Sequence, residues 1–166
     1  MQPERPLTKP DLPRQLSAAR AAFNTAISSV PLARFSDPLP GGDWSTKDTL
    51  THLTFYERQL AERLWEQLEH RPRTFVDTDF MTWQEQNPII RERHKHDSIQ
   101  TVLQESRSAF ESLWSALNAL SEADLFRPQI WEGAPEPVFI PDVLRDDVTD
   151  HYPEHIENIR RLFPDD

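Results

Sequence analysis

Apolar positions recur along this chain with the spacing of helices. The clearest case runs from about Asp97 to Leu120. Ile99, Leu103, Ser106, Phe110, Leu113, Leu117 and Leu120 follow at alternating four and three residues, and all but Ser106 are apolar. That rhythm places them on one side of an α-helix, and Asp97 with Gln100 resembles a capping box at its start. A first helix, from about Leu12 to Ser29, keeps the same rhythm through Leu16, Ala19, Phe23, Ala26 and Val30 until Pro31 and Pro38 stop it. A second opens at Ser45, a good N-cap, with Asp48 in the first turn where an acid favours the helix dipole. Leu50, Leu53, Leu60, Leu64 and Leu68 form its stripe, which fades near Arg71 and Pro72. The last helix starts around Pro141, a favoured first-turn residue. Its inward face reads Leu144, Val148, His151, His155, Ile159 and Leu162.

Four amphipathic segments of roughly 18–25 residues, about 27–37 Å long, predict an all-α fold: a four-helix bundle in one domain over residues 1–166. Two long connections separate them. Residues 70–96 include a short helical stretch over 80–86, which Asn87-Pro88 should break. Residues 127–140 hold Trp131 among prolines. Only 3 glycines stand against 15 prolines, which disfavours turn-rich β structure and any glycine-rich phosphate loop.

The net charge of -10 argues against nucleic acid and anionic membranes as partners, because both need clustered Lys and Arg. No stretch approaches a membrane span, and the N-terminal residues lack the apolar run of a signal peptide, so a cytoplasmic protein is expected. The chain has no cysteine. Thiolate ligands and a cysteine nucleophile are therefore excluded, and any thiol chemistry would need a thiol supplied by a small molecule.

The candidate chemistry lies in histidines. His151 and His155 are four residues apart, close enough on one helical face to share a metal ion. They also replace two members of an apolar stripe, where unpaired imidazoles are costly. The bland alternative is a pair of packed, hydrogen-bonded core histidines. His52 sits on the flank of the leucine stripe beside Tyr56. Asp48 precedes His52 by one turn, as Asp147 precedes His151, and either acid could orient its imidazole; a solvated helix face is the ordinary reading of both. Pro153, between the two late histidines, should kink the helix there. His70, His94 and His96 fall at helix ends or in the connection and read as solvated.

Three motifs resemble the DinB/YfiT-like superfamily, and within it the ClbS/DfsB branch. They are Gly42-Asp43-Trp44-Ser45-Thr46-Lys47-Asp48-Thr49-Leu50-Thr51-His52-Leu53, Leu120 through Pro128, and Asp150-His151-Tyr152-Pro153-Glu154-His155-Ile156-Glu157-Asn158-Ile159-Arg160. The resemblance implies an up-down-down-up bundle with a long crossover. It also implies a divalent metal, zinc, nickel or iron, held by His52, His151 and His155. Many such proteins are dimers, and Phe75 and Phe80 are candidate homodimer contacts. Some use a low-molecular-weight thiol as co-substrate. Pro153 departs from the commoner pattern, where a polar residue stands.

The leading expectation is a metal-dependent detoxification enzyme, a thiol S-transferase or hydrolase acting on an electrophilic small molecule. Tyr56 would donate a hydrogen bond to developing charge, and Trp83 and Trp131 would line the cavity mouth. Two alternatives are a metal-independent hydrolase of the ClbS type and a non-enzymatic protein that sequesters a small molecule in the same cavity.

Overall fold

The computed structural model describes residues 7–40, 42–74, 78, 81–131 and 134–162. Phe75 and Phe80, the expected homodimer contacts, lie outside the described residues. The helices are α1 (Asp11–Ser28), α2 (Thr46–Leu68), α3 (Trp83–Arg93), α4 (Ile99–Ala119), α5 (Glu122–Phe126), α6 (Ile140–Leu144) and α7 (His151–Leu162). A five-residue π-turn, Arg145–Thr149, links α6 to α7. No strand occurs among the described residues, and none of their helices is long and apolar enough to cross a membrane.

The bundle is made of α1, α2, α4 and the α6–α7 rod. α2 packs chiefly on α4, and α7 chiefly on α1. The predicted stripes supply the core: Leu12, Leu16 and Phe23 from α1, Leu50, Leu53, Leu60 and Leu64 from α2, and Leu113 and Leu117 from α4. At the start of α2 the capping box forms. Ser45 Oγ accepts from the Asp48 amide at 3.1 Å, while the Asp48 carboxylate accepts from the Ser45 amide at 2.9 Å.

Four expectations need correction. The α4 N-cap is Ser98, whose Oγ accepts from the Thr101 amide at 3.0 Å; Asp97 instead pairs with His94 at 2.7 Å. Ser98 wins because its hydroxyl lies at the right offset for the third helical amide. Secondly, Asn87-Pro88 does not break α3, which runs on to Arg93. Proline deletes one backbone bond, while burial of Gln86 and Ile90 and the Glu85 carboxylate on Thr82 hold the helix on both sides.

The third and fourth concern the last rod. Pro153 does not kink a running helix. The Asp150 amide bonds to the Arg145 carbonyl at 2.8 Å, the wide turn ends the α6 ladder, and α7 starts afresh at His151. Pro153 thus falls in a first turn, where a missing N–H costs nothing. The wide turn also shifts the helical phase. Leu144, Val148, Tyr152, Ile156 and Ile159 are the buried positions, and His151 and His155 lie beside that stripe, half-buried.

Candidate metal centre

His52, on the second turn of α2, and His151 and His155, on the first turns of α7, converge. Nε2 of His151 lies 3.0 Å from Nε2 of His52 and 3.1 Å from Nε2 of His155. One ring nitrogen from each fits within 4.8 Å of the others. His52 is only 4 % exposed. Its ring meets Trp44 edge-on at 5.3 Å and Tyr56 at 5.0 Å between centroids.

The cluster favours uncharged imidazoles. Burial, reinforced by charge on His151 and then His155, pushes His52 down to about 3, against a small opposing pull from Asn87. Burial, then His151, pushes His155 down to about 4. Neutral imidazoles turned toward one point are metal donors. His151 Nδ1 lies 3.3 Å from the Asp147 carbonyl oxygen; as a donor there it leaves Nε2 as the lone-pair nitrogen. Nδ1 of His52 is buried without a partner.

These shifts set an acid sensitivity in the metal-free protein. His52 has a folded value below the ordinary 6.5, so between pH 6.5 and about 3 the unfolded chain binds more protons. Stability is therefore present above 6.5 and lost as pH falls through this window. At pH 4.5 the His52 share of the loss should be about 2–3 kcal/mol. Urea denaturation at pH 7 and 4.5 measures it, with His52→Leu as the reference that lacks this share; an equal loss in the two proteins would exclude the effect.

The three histidines line a cavity of ≈ 590 Å³ with Tyr56, Trp83 and Asn87. A larger space of ≈ 780 Å³ lies on the other side of Trp83 and Asn87, but it contains none of the histidines. Tyr56 is half-buried and donates to Gln86 Oε1 at 3.4 Å. Burial, then the Asp147 charge, pushes its hydroxyl upward, so at neutral pH it is a donor and not a base.

The expected supporting acids are placed differently. The Asp48 carboxylate is engaged by Ser45 and stands 3.5 Å from Arg91, so it does not orient His52. Asp147 reaches His151 through its backbone carbonyl, while its side chain lines the cavity. Trp83 lies at the cavity mouth, 63 % exposed. Trp131 does not, because it packs under Arg63, 5.2 Å from guanidinium to ring, beside a separate cleft.

Sequence reasoning missed a polar group behind the histidines. Arg20 donates to the Glu57 carboxylate at 3.2 Å, to the Tyr152 hydroxyl oxygen at 3.2 Å and to Ser106 Oγ at 2.6 Å. Tyr152 also donates to Glu57. All four side chains are buried. Burial and the Glu57 charge hold the Tyr152 hydroxyl well above its ordinary value. Burial raises Glu57, with Arg20 and Tyr152 pulling the other way. One signal was available: each residue interrupts or adjoins a stripe at one level of the bundle, between Leu16 and Phe23, Leu53 and Leu60, Leu103 and Phe110, and Val148 and Ile156.

An all-α bundle with three histidines converging from two helices is the class that fold and site define. The DinB superfamily model matches residues 15–146, and the chain belongs to that family; the matched stretch ends short of His151. No curated protein matches the chain significantly. Among solved structures, a Streptococcus pneumoniae protein superposes with a TM-score of 0.80 at 12 % identity, covering 97 % of this chain and 93 % of its own. DfsB, described as a sibling lethal factor precursor, gives 0.74 at 14 % identity over 95 % and 96 % of the two chains. The colibactin self-resistance protein ClbS, solved in complex with a double-stranded DNA, gives 0.73 at 13 % identity over 96 % and 97 %. The branch to which the three motifs pointed is thus among the structural neighbours, and the likeness at these identities is one of fold.

Proposed function

We infer that this protein is a metal-dependent detoxification enzyme acting on an electrophilic small molecule, as a thiol S-transferase or a hydrolase. The observation that carries the reading is the convergence of three imidazole nitrogens, two of them 3.0 and 3.1 Å from the third, on the wall of a cavity. Ring nitrogens this close, with one or no proton to share between each pair, are best satisfied by a common cation. His52, His151 and His155 would hold it. A divalent ion there supplies a Lewis acid that brings deprotonation of water or a thiol toward neutral pH.

The protein's own residues do the rest. The Asp147 carbonyl fixes the His151 ring, and Tyr56, still protonated at neutral pH, donates a hydrogen bond to negative charge developing on the substrate. Trp83 offers an aromatic face at the mouth. The self-resistance role given for ClbS is consistent with removal of a reactive compound. Nucleic acid is not the partner we assign, because the chain carries -10 and Asp146, Asp147, Asp150 and Glu154 surround the cavity.

Metal content decides the reading. Protein expressed with zinc or nickel and then dialysed should retain close to one ion per chain, and His151→Ala with His155→Ala should retain none. A wild type without stoichiometric metal, or a double variant that keeps it, would overturn the assignment. Turnover of a strained electrophile by chelator-treated protein would favour the metal-independent hydrolase instead.

A further inference from the structure

We propose that Arg20, Glu57, Ser106 and Tyr152 are positioning residues: their buried hydrogen bonds fix α7 against α2 so that His151 and His155 meet His52. This rests on the reading of the histidines as one functional cluster.

The helices that carry the histidines belong to different packing pairs. α2 rests mainly on α4, and α7 mainly on α1, so apolar packing does not by itself set the register between α2 and α7. The polar group joins both pairs. Arg20 comes from α1, Glu57 from α2, Ser106 from α4 and Tyr152 from α7. Its members adjoin the site along the chain. Tyr152 directly follows His151, and Glu57 directly follows Tyr56 and lies five residues after His52.

The chemistry suits alignment better than bulk stability. Apolar side chains of similar volume would fill this space without the desolvation cost of an ion pair. Leucines, however, tolerate sliding. Arg20 makes three separate contacts at 2.6–3.2 Å, and a slip of α7 along α1 would break the bonds from Arg20 to Tyr152 and from Tyr152 to Glu57, leaving the Tyr152 hydroxyl without a partner in a dry core. Directional bonds therefore hold α7 to within a fraction of an ångström, the tolerance a shared ligand site demands.

Cobalt(II) is the probe, because its visible absorption reports ligand geometry. Tyr152→Phe should bind cobalt about tenfold more weakly than wild type or worse, with an altered absorption band. Leu113→Ala, a core truncation in α4 outside the polar group, should lower the melting temperature yet keep the wild-type band and affinity. Ser106→Ala, which removes one bond at the α4 end, should move in the same direction as Tyr152→Phe by less, and it serves if Tyr152→Phe does not fold. A wild-type band and affinity in the folded polar variants, or the same change in Leu113→Ala, would overturn the proposal.

Imidazole nitrogen NMR of the metal-free proteins gives a second readout. The three histidine signals should shift in Tyr152→Phe and not in Leu113→Ala. If the wild type binds no cobalt, the metal reading fails, and these NMR signals alone decide the positioning inference.

Discussion

Glu57→Ala should cost about 3–5 kcal/mol of unfolding free energy, at the upper end of what a single substitution does to a folded domain. The carboxylate is 1 % exposed and accepts from both Arg20 and Tyr152. Its removal leaves the Arg20 guanidinium, 7 % exposed, in the core without its countercharge. Arginine cannot escape by losing its proton, so the whole desolvation cost remains. Replacing the group together, with Arg20→Met, Glu57→Leu and Tyr152→Phe, should return stability to within about 1 kcal/mol of wild type or above it. Urea denaturation of both variants tests the pair of expectations. A loss below about 1 kcal/mol in Glu57→Ala would mean that water already reaches Arg20.

His52→Leu should split stability from ligand binding. The wild-type ring is buried with Nδ1 unpartnered, so leucine at this site should stabilise the metal-free protein by about 1 kcal/mol. The same change removes one of three nitrogens. Loss of a group that merely supports a ligand weakens metal binding by about 10–100-fold, so loss of the ligand itself should exceed that. Thermal melts of metal-free protein and competitive zinc titration give the two numbers. A variant that is destabilised without metal, or that holds zinc like the wild type, would refute this account of His52. The opposite signs are what a site costs when it occupies space the core could use.

The helical rhythm carried most of the fold, since apolar spacing depends on local geometry that a helix imposes everywhere. The stripes of α1 and α2 were legible down to single leucines. The phase of α7 was not, because it depends on a π-turn whose residues, Arg145 to Thr149, carry no signal in hydropathy. A straight continuation puts His151 and His155 in the core stripe and leaves Tyr152 out of it. The structure reverses these places. His52 reads as a flank residue and is nearly enclosed, because Trp44 and Tyr56 close over it from its own end of the chain. The Arg20 group escaped notice because its members lie 37 to 132 positions from Arg20 in the sequence, and only the packed bundle brings them together.

The π-turn has a consequence for how this site can change. One residue more or less in a helix rotates everything beyond it by about 100°. Deleting a single position within 145–149 would remove the turn's extra residue and restore an unbroken α-helical count with Tyr152 still in the buried stripe, whereas winding the full-length segment as plain α-helix would turn the two late histidines into oil-facing residues and swing Tyr152 out toward water. The histidine wall and the polar heart of the bundle are thus set together by how one extra residue is wound into that turn. A further residue inserted at that turn would rotate α7 by about 100° and be a harsher event than most substitutions, whereas loss of one residue there is absorbed by straightening the turn.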